Sequence, residues 1–357
     1  MNPINLSFSG RKVDVPIYLG AGVFDKTDSL VQLKKYSAVL IIVDENVAHH
    51  WSHRIHKVLG QDVPVLVVAA GEKNKSLTTV EKIWTLLSQK RFDRRSLIIN
   101  IGGGMVCDIG SFAASTYMRG IDFIQVPTTL LAQADAAIGG KTGFNFNGLK
   151  NTIGTFSAPV AIISDTSFLS SLPARELNSG FAEIIKHVLI ADEELFNSLL
   201  KKIPRLPKEF DKLLSISTEI KCSIVKKDPY EKKERKKLNF GHTVGHAIEM
   251  VSQNSPTPLL HGEAIAIGMI AEAKMSVLSG RLPENTFKKL EALINKLGLS
   301  TTINSKYKNA IADKMLADKK NIKQQIKWAF LENIGDVKVD VQLPADIVDK
   351  GLNYILK

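Results

Sequence analysis

Short apolar runs alternate with polar or amphipathic stretches through the first half of the chain. The runs are rich in β-branched residues and end in small or acidic residues, which is typical of buried strands in a parallel sheet. Amphipathic segments with a helical period, such as residues 76–91, lie between several of them. This alternation predicts an α/β domain with a Rossmann-like parallel sheet, whose ligands would lie at the carboxyl ends of the strands. The predicted strands lie in residues 37–44, 63–71, 96–104, 121–129 and 160–165.

The pattern changes near residue 175. Residues 4–20 read as a hairpin added at an edge of the sheet, whereas the chain from Glu176 onward reads mostly as long amphipathic helices. Alternation returns only in residues 326–340, which predict one small hairpin. We therefore predict an α/β domain over residues 1–175 and a mainly α-helical domain over residues 176–357.

Composition narrows the class of protein. The two cysteines, Cys107 and Cys222, form no CxxC pair, so we expect neither a disulfide framework nor a thiolate zinc site. The first residues lack the apolar core of a secretion signal, and the chain contains no run of 18 apolar residues. These features predict a cytoplasmic protein that does not associate with membranes.

The formal net charge of +11 is compatible with an anionic small substrate, a membrane surface or nucleic acid. Lysine-rich patches at residues 226–237 and 318–327 carry much of the surplus, and aromatic residues hardly interleave with them. Tyr230 and Trp328 are isolated, which disfavours a platform for stacking bases. We expect most of these lysines to be solvated and the ligand to be a small anion.

Histidines at helical spacing suggest a metal centre. In LNFGHTVGHAIE (residues 238–249), His242, His246 and Glu249 share one helix face, and His261 and Glu263 follow closely. Imidazole and carboxylate groups bind divalent metals, although the motif differs from the HExxH helix of zinc proteases.

A second helix supplies a further carboxylate. In GFAEIIKHVL, Glu183 and Lys186 share a face, and apolar residues surround them on all sides. A simple ion pair would be the ordinary interpretation on an exposed helix, but a buried carboxylate needs a metal or another role. Glu183 can thus join His242 and His261 as the third ligand of a catalytic metal with one open position.

A glycine turn and a dense polar run suggest anionic ligands. Gly102 to Gly104 follow a predicted strand and permit backbone amides to approach a diphosphate at a helix start, with a ligand-free tight turn as the alternative. The acidic strand end, Asp44, precedes this turn, so any dinucleotide would bind in a variant arrangement. Residues 117–151 then bring together side chains that suit a phosphorylated or carboxylated substrate: Arg119, Thr128, Thr129, Asp135, Lys141, Lys150 and Asn151.

The segments GGGMVCD, YMRG, PTTLLAQADAAIGGKTG, LKNTIG, LPARE, GFAEIIKH, LNFGHTVGHAIE and LHGEAIAIGM follow one another between about Asp44 and Lys320. In this order they resemble the 3-dehydroquinate synthase family of sugar phosphate cyclases. The resemblance implies an NAD-binding α/β domain followed by a helical domain, usually as a homodimer that uses NAD with zinc or cobalt. It also implies a phosphate-eliminating lyase of the shikimate route to aromatic amino acids.

The implied reaction converts 3-deoxy-D-arabino-heptulosonate 7-phosphate into 3-dehydroquinate and phosphate. NAD transiently oxidises the C5 hydroxyl, phosphate is eliminated, the hydride returns, and an intramolecular aldol reaction closes the ring, so that NAD is not consumed.

The resemblance also assigns residues. It implies Glu183, His242 and His261 as metal ligands, and Glu231 and His246 as proton acceptors, with Asp135 and Lys186 near the reacting hydroxyls. For phosphate it implies Lys141, Asn151, Asn239, His246 and, from a partner subunit, Arg119; for the carboxylate it implies Lys221, Arg235 and one of Lys319 or Lys320. The implied cofactor residues are Asp44, Asn46, Glu72, Lys75, Gly103, Gly104, Asp108, Thr128, Thr129, Lys150, Phe168 and Ser171.

Two segments depart from the family pattern, and other functions stay open. Lys233 stands where a glycine is usual, and NFNGLKN places its glycine one position early, so we expect altered loops at 143–151 and 228–236. The alternatives are a 2-deoxy-scyllo-inosose or 2-epi-5-epi-valiolone synthase, a metal-dependent polyol dehydrogenase, and a nucleic-acid-binding protein. Asn239, Lys221 and Arg235 suggest a substrate with a carboxylate as well as a phosphate. Such a substrate favours the resemblance to 3-dehydroquinate synthase over these alternatives.

Overall fold

A computed structural model describes residues 4–8, 13–147, 149–204, 207–253, 255–316 and 326–357. The chain divides into two compact units, which consist of residues 1–173 with 206–229, and of residues 174–205 with 230–357. The sequence predicts a single division at residue 175. This prediction differs from the two units in one segment, residues 206–229, which belongs to the first unit.

The strands of the first unit form a seven-stranded sheet and a separate hairpin, and those of the second unit form one hairpin. They are β1 (Ile4–Phe8), β2 (Val13–Leu19), β3 (Val39–Asp44), β4 (Val65–Val68), β5 (Leu97–Gly102), β6 (Asp122–Pro127), β7 (Lys141–Phe146), β8 (Leu149–Phe156), β9 (Ala161–Ser164), β10 (Trp328–Asn333) and β11 (Asp336–Val341).

Helices connect the strands of the first unit and make up most of the second. They are α1 (Thr27–Val31), α2 (Glu45–Leu59), α3 (Leu77–Gln89), α4 (Gly104–Thr116), α5 (Ala174–Ala191), α6 (Glu193–Lys201), α7 (Pro207–Lys227), α8 (His242–Ser252), α9 (His261–Leu278), α10 (Glu284–Lys296), α11 (Lys308–Leu316) and α12 (Ala345–Tyr354).

The sheet order is β1-β2-β9-β6-β5-β3-β4. Every neighbouring pair is parallel except β1 and β2, which pair antiparallel at one edge. Both the Rossmann-like parallel sheet and the edge hairpin are thus confirmed.

Both faces of the sheet are covered, which explains why its strands are apolar throughout. In β3, Leu40 and Ile42 pack into the cluster that includes side chains of α3 and α4, whereas Ile41 and Val43 pack into the cluster that includes side chains of α2. Successive residues of a strand point to opposite faces, so two covered faces require a continuous apolar run.

Helix α7 is the segment that returns to the first unit. Its Cys222 and Val225 pack with Val15, Ile17 and Ile162 of β2 and β9, and its Asp211 accepts a hydrogen bond from the Thr166 hydroxyl. Amphipathicity shows that a helix has one buried face but not which layer covers it. For this reason the sequence placed residues 206–229 with the helical half.

The region of residues 141–156 corrects a sequence expectation. Residues 143–151 were expected to be a loop, but the described residues on either side of Gly148 form the antiparallel strands β7 and β8. Gly143 and Gly154 face each other across them, and a Cβ at Gly154 would lie 2.1 Å from the carbonyl oxygen of Thr142. Close backbone approach therefore requires glycine here, and glycines are what made the stretch look like a loop.

The second unit is mainly helical, as predicted, with the small hairpin β10–β11 at the expected place. Helix α9 is buried along most of its length, with side chains such as Ile267 and Met269 fully enclosed, so its apolar residues surround the whole helix. Among the described residues, no helix combines the length and the apolarity needed to cross a membrane.

Candidate functional site

In the first unit, the neighbouring strands β3, β5 and β6 end at one edge of the sheet. Asp44 ends β3 and caps α2, where its carboxylate accepts hydrogen bonds from the amides of Asn46 (2.9 Å) and Val47 (3.0 Å). Burial raises the pKa of Asp44, while bonds from backbone amides, including that of Gly103, partly offset this effect. The carboxylate thus joins the end of β3 to the glycine turn after β5.

The glycine turn is tightly packed against the end of β6. Gly103 precedes α4 and offers no side-chain cap, and a Cβ there would lie 3.1 Å from the Cγ2 atom of Thr129. A Cβ at Gly104 would lie 3.2 Å from the Cβ of Ala136, and the Thr128 amide donates to the carbonyl oxygen of Gly102 at 3.0 Å. Amides at a helix start without a side-chain cap can bind phosphate oxygens.

Predicted cofactor residues form a polar network beside this turn. The Lys75 ammonium, only 4% exposed, donates to the carboxylate of Asp108 and to the side-chain oxygen of Asn151. Burial raises the pKa of Asp108, and Lys75 counteracts this effect. Glu72 accepts from the side chain of Asn145 at 2.9 Å and lies 3.9 Å from the Lys150 ammonium. Asn151, predicted to bind substrate, therefore meets residues predicted to bind the cofactor.

Two predicted substrate residues of the first unit are in direct contact. Lys221, on the returning helix α7, forms an ion pair with Asp135 at 2.7 Å, and Asp135 lies in a π-helical turn over Ala132–Ala136. Lys141 is exposed at the start of β7. Arg119 is exposed and has a φ angle of 68°.

Two predicted cofactor residues lie in the short 3-10 helix Thr166–Ser171, which follows β9. The Phe168 side chain is fully buried and packs against Phe24 and Trp51, with ring centroids 5.4 and 4.9 Å away. The Ser171 hydroxyl accepts from the indole of Trp51 at 2.8 Å. Phe168 therefore presents no side-chain surface to a ligand in this arrangement, because it completes an aromatic cluster.

In the second unit, the three predicted metal ligands converge. Glu183 is fully buried on α5, and its Oε1 atom lies 3.5 Å from Nε2 of His242 and 3.3 Å from Nε2 of His261. A tetrahedral zinc ion with ligands at about 2.0–2.1 Å places neighbouring ligand atoms roughly 3.3–3.4 Å apart. These two spacings fit a shared divalent ion.

The outward nitrogens of both imidazoles also have partners. Nδ1 of His242 lies 3.2 Å from the carbonyl oxygen of Phe240, and Nδ1 of His261 lies 3.2 Å from Oε2 of Glu249. Acceptors at Nδ1 keep the proton there and leave Nε2 as the ligand atom. Donor chemistry and ring orientation thus agree with the spacing.

His246 and Lys186 lie beside this cluster. The ring of His246 is 5.0 Å from that of His242 and 5.8 Å from that of His261. One nitrogen of each of the three histidines lies within 4.8 Å of the others, a looser grouping than the two contacts with Glu183. Lys186 donates to Oε2 of Glu183, so the ion pair that would be the ordinary interpretation on an exposed helix is formed, but at a fully buried position.

The electrostatics of the cluster favour a cation. Burial lowers the pKa of His261, but the carboxylates of Glu249 and Glu183 raise it by more, to about 10. The same carboxylates would stabilise a divalent ion that took the place of the proton.

Close helix packing positions the ligands. A Cβ at Gly262, next to His261 on α9, would lie 1.8 Å from the carbonyl oxygen of Ser179 on α5, so only glycine permits this crossing. Helix α8 begins after Gly241, whose φ angle is 78° and which has no side chain to cap the helix. The carboxylate of Glu272 on α9 supplies that cap by accepting from the amides of Gly241 (2.7 Å) and Val244 (3.1 Å).

The loop before α8 gathers other predicted residues. The Asn239 side chain donates to Glu231 at 2.5 Å, and Arg235 is 3% exposed. Glu231 adopts a φ angle of 57°, whereas Lys233, at the usual glycine place, has a φ angle of −141° and needs no glycine.

Part of the basic patch is ion-paired, contrary to our expectation. Lys236 and Lys237, expected to be solvated, pair with Asp340 (2.8 Å) and Glu234 (2.9 Å). The predicted carboxylate-binding Lys319 and its alternative Lys320 lie outside the described residues.

The sequence did not predict the structural roles of two glutamates. Glu272 was missed, although an acidic residue within the apolar helix AIAIGMIAEAKMS was its signal. Glu263, considered among possible ligands, instead receives the guanidinium of Arg175 at 2.7 Å and caps the amide of Leu260 at 2.7 Å. Ligand types adjacent in sequence can thus point away from one another on a helix.

Comparison with known proteins identifies relatives over most of the chain. Family models described as 3-dehydroquinate synthase N-terminal and 3-dehydroquinate synthase C-terminal match residues 65–179 and 180–321. A 3-dehydroquinate synthase of Parabacteroides distasonis is 37% identical over 323 residues, which cover 90% of this chain and 92% of that protein.

Solved structures agree on the fold. A 2-deoxy-scyllo-inosose synthase complexed with carbaglucose-6-phosphate, NAD+ and Co2+ has a TM-score of 0.89 at 26% identity, covering 99% of this chain and 100% of that one. The 2-epi-5-epi-valiolone synthase of Streptomyces hygroscopicus subsp. jinggangensis, with NAD+ and Zn2+ bound, has a TM-score of 0.86 at 25% identity, covering 98% of both chains. With family models over most of its length and a relative at 37% identity, the chain belongs to the 3-dehydroquinate synthase family.

Proposed function

We propose that this chain converts 3-deoxy-D-arabino-heptulosonate 7-phosphate into 3-dehydroquinate and phosphate, as a phosphate-eliminating lyase of aromatic amino acid biosynthesis. The observation that carries the proposal is the convergence of Glu183, His242 and His261, at 3.3 and 3.5 Å, within a chain of this family.

The proposed metal ligands are Glu183, His242 and His261. A bound zinc or cobalt ion would act as a Lewis acid that polarises a substrate hydroxyl. Three protein ligands would leave an open position for substrate oxygens. The donor set fits because both imidazoles direct Nε2 towards one carboxylate oxygen while Nδ1 faces an acceptor.

NAD is the proposed cofactor of the first unit, where it would accept and return one hydride. Gly103 and Gly104 would present amides of the α4 start to its diphosphate, and Asp44 would lie beside them. The remaining proposed cofactor residues are Asn46, Glu72, Lys75, Asp108, Thr128, Thr129, Lys150, Phe168 and Ser171, of which Phe168 would contribute through its backbone.

Charged and amide groups are the proposed substrate residues. Lys141, Asn151, Asn239 and His246 would bind the phosphate, and Lys221 and Arg235 the carboxylate, because cations and amide donors match these anions. Asp135 and Lys186 are proposed to contact the reacting hydroxyls. Lys319 retains its proposed role as a residue outside the described part of the chain.

Glu231 and His246 are the proposed proton acceptors. Glu231 bonds to Asn239, and His246 stands one helical turn after His242. A carboxylate and an imidazole can each take up a proton near neutral pH when their surroundings tune them to the reaction.

A homodimer is the proposed assembly, with Arg119 reaching the partner's substrate. The support is a set of exposed apolar side chains on β7 and β8, of which Phe146 and Leu149 are paired across the hairpin: Phe146, Leu149, Ile153 and Phe156 are 36–51% exposed. Exposed apolar side chains that lie close together are typical of association surfaces.

The decisive experiment is a phosphate-release assay with purified chain, NAD and zinc or cobalt. We expect stoichiometric release of phosphate from the heptulosonate phosphate, without accumulation of NADH. Absence of release by protein verified to contain metal would reject the proposal.

The same assay addresses the cyclase alternatives, which the two solved neighbours represent at 25–26% identity. Sugar phosphates that lack a carboxylate, tested in parallel, should release no phosphate. Preferential turnover of such a sugar phosphate would assign the chain to another cyclase reaction. Net formation of NADH would indicate a polyol dehydrogenase instead.

A further inference from the structure

Glu249 lies on α8, one turn beyond His246, and is 7% exposed. Its Oε2 atom is 3.2 Å from Nδ1 of His261 at the start of α9. None of the proposed roles in binding metal, cofactor or substrate includes this carboxylate.

The imidazole of His261 is held at both nitrogens. Nε2 faces Oε1 of Glu183 at 3.3 Å, while Nδ1 faces Glu249. When a cation rather than a proton lies between Nε2 and the carboxylate of Glu183, the imidazole carries one proton, and the anionic acceptor Glu249 keeps that proton on Nδ1. The lone pair then remains on Nε2, the nitrogen that faces the proposed metal position.

The second histidine is held differently. Nδ1 of His242 faces the neutral carbonyl oxygen of Phe240 at 3.2 Å, a group of its own local backbone. Glu249, in contrast, comes from another helix than His261, so it orients the ring and also ties α8 to α9. A carboxylate at Nδ1 also makes the imidazole a more basic ligand than a carbonyl does.

We propose that Glu249 is a positioning residue for the metal centre. It fixes the tautomer and the ring orientation of His261 and thereby sets the affinity for a divalent ion, without contacting that ion. This inference rests on the metal site of the proposed function.

The experiment compares Glu249→Leu and Glu249→Gln with the parent chain. Zinc affinity is measured by competition with a chromophoric chelator, and the visible absorption of bound Co2+ reports the ligand geometry. For Glu249→Leu we expect a zinc Kd raised about 10–100-fold and altered Co2+ bands. Glu249→Gln keeps an oxygen acceptor without the charge, so it should recover part of the affinity and most of the parent spectrum.

Controls separate this role from a general effect on folding. Glu291→Gln makes the same chemical change at a partly exposed carboxylate of α10 that accepts from the Tyr354 hydroxyl at 2.9 Å, and it should leave both readouts unchanged. Circular dichroism and the Tm of the metal-free chains are compared in parallel. A variant with parent-like folding and weakened metal binding supports the proposal.

Two contrary results have different meanings. Parent-like zinc affinity and Co2+ bands in Glu249→Leu would overturn the role of Glu249 alone. A parent chain that binds neither ion would overturn the metal site itself and this inference with it.

Discussion

Asp165, directly after β9, is a buried carboxylate whose pKa depends on its hydrogen-bond donors. It accepts from the amides of Gly22 and Phe24, both at 3.0 Å, from Ser167, and from the guanidinium of Arg54 at 2.7 Å. Burial alone would raise its pKa, but these donors outweigh that effect and lower it. The folded chain therefore binds fewer protons here than the unfolded chain does in acid.

The sign of the lowered pKa gives a prediction. The stabilisation by Asp165 is complete above the unfolded pKa of about 3.9 and is lost as pH falls through the lower folded pKa. Asp165→Asn should cost about 3 kcal/mol at pH 7, because it breaks a buried pair, and should flatten the decline of stability below pH 4. Urea unfolding across this pH range measures both effects.

The matched control for Asp165→Asn is Asp25→Asn, which changes the second carboxylate that forms an ion pair with Arg54. The Asp25 side chain is 56% exposed and lies 2.9 Å from the guanidinium, so its loss should change stability far less. Equal effects of the two substitutions would contradict the assigned role of burial.

His242 provides a second test at the scale of one residue. His242→Ala removes the Nε2 atom that faces Glu183, and with it one of the three proposed metal ligands. The purified variant should therefore contain no stoichiometric zinc. Elemental analysis after gel filtration measures the metal content. His53→Ala, at an exposed histidine of α2, is the control, and full metal content in His242→Ala would show the ligand set to be wrong.

At the scale of elements, the crossing of α5 and α9 determines whether Glu183 and His261 meet. Gly262→Ala would place a Cβ 1.8 Å from the Ser179 carbonyl oxygen, and the helices would have to move apart. We expect a loss of about 1–3 kcal/mol in unfolding free energy and weaker zinc binding, measured by urea unfolding and chelator competition.

Gly280→Ala, just beyond the other end of α9, is the control for Gly262→Ala. Its Cβ would meet no atom within 4 Å, and only the left-handed φ of 70° would oppose it, so about 1 kcal/mol should be lost without any change in zinc affinity. Unchanged zinc affinity in Gly262→Ala would separate the metal centre from this crossing.

The elements that the sequence predicted correctly carry a clear local signal. The buried strands β3 and β5 are short continuous runs of apolar residues, and α3 has the apolar spacing of an amphipathic helix. The hairpin β7–β8 was missed because its paired glycines, Gly143 and Gly154, are strand residues only in the presence of the opposite strand.

Contacts between distant segments limit how much of the site could be predicted from the sequence. The ligand types and their helices could be predicted from residue spacing and family motifs, whereas the acceptor at Nδ1 of His261 depends on the packing of α8 against α9. The cap that Glu272 supplies to α8 depends on the same packing, because no local pattern shows which helix end a buried carboxylate will reach.

At the scale of the whole molecule, the apolar side chains of β7 and β8 lead to a prediction about assembly. We expect the parent chain to sediment at about twice its monomer mass of 39.3 kDa. Leu149→Asp with Ile153→Asp should produce monomers, because a charge buried at an interface is costly. Analytical ultracentrifugation measures the mass.

Val67→Asp is the control for assembly. Val67 is 49% exposed on β4, an edge strand of the seven-stranded sheet, whereas β7 and β8 form a separate hairpin, so a charge at Val67 should leave the dimer intact. A monomeric parent chain, or a dimer that persists in the double variant, would remove β7 and β8 as the contact surface.

The return of α7 to the sheet has a consequence for biosynthesis on the ribosome. The layer that covers Val15, Ile17 and Ile162 includes Cys222 and Val225, so the first unit cannot close until residues 174–205 of the second have already been translated. A nascent chain halted at residue 173 should therefore bind a hydrophobic dye and be cleaved rapidly by protease, whereas one extended past residue 229 and the exit tunnel should resist both.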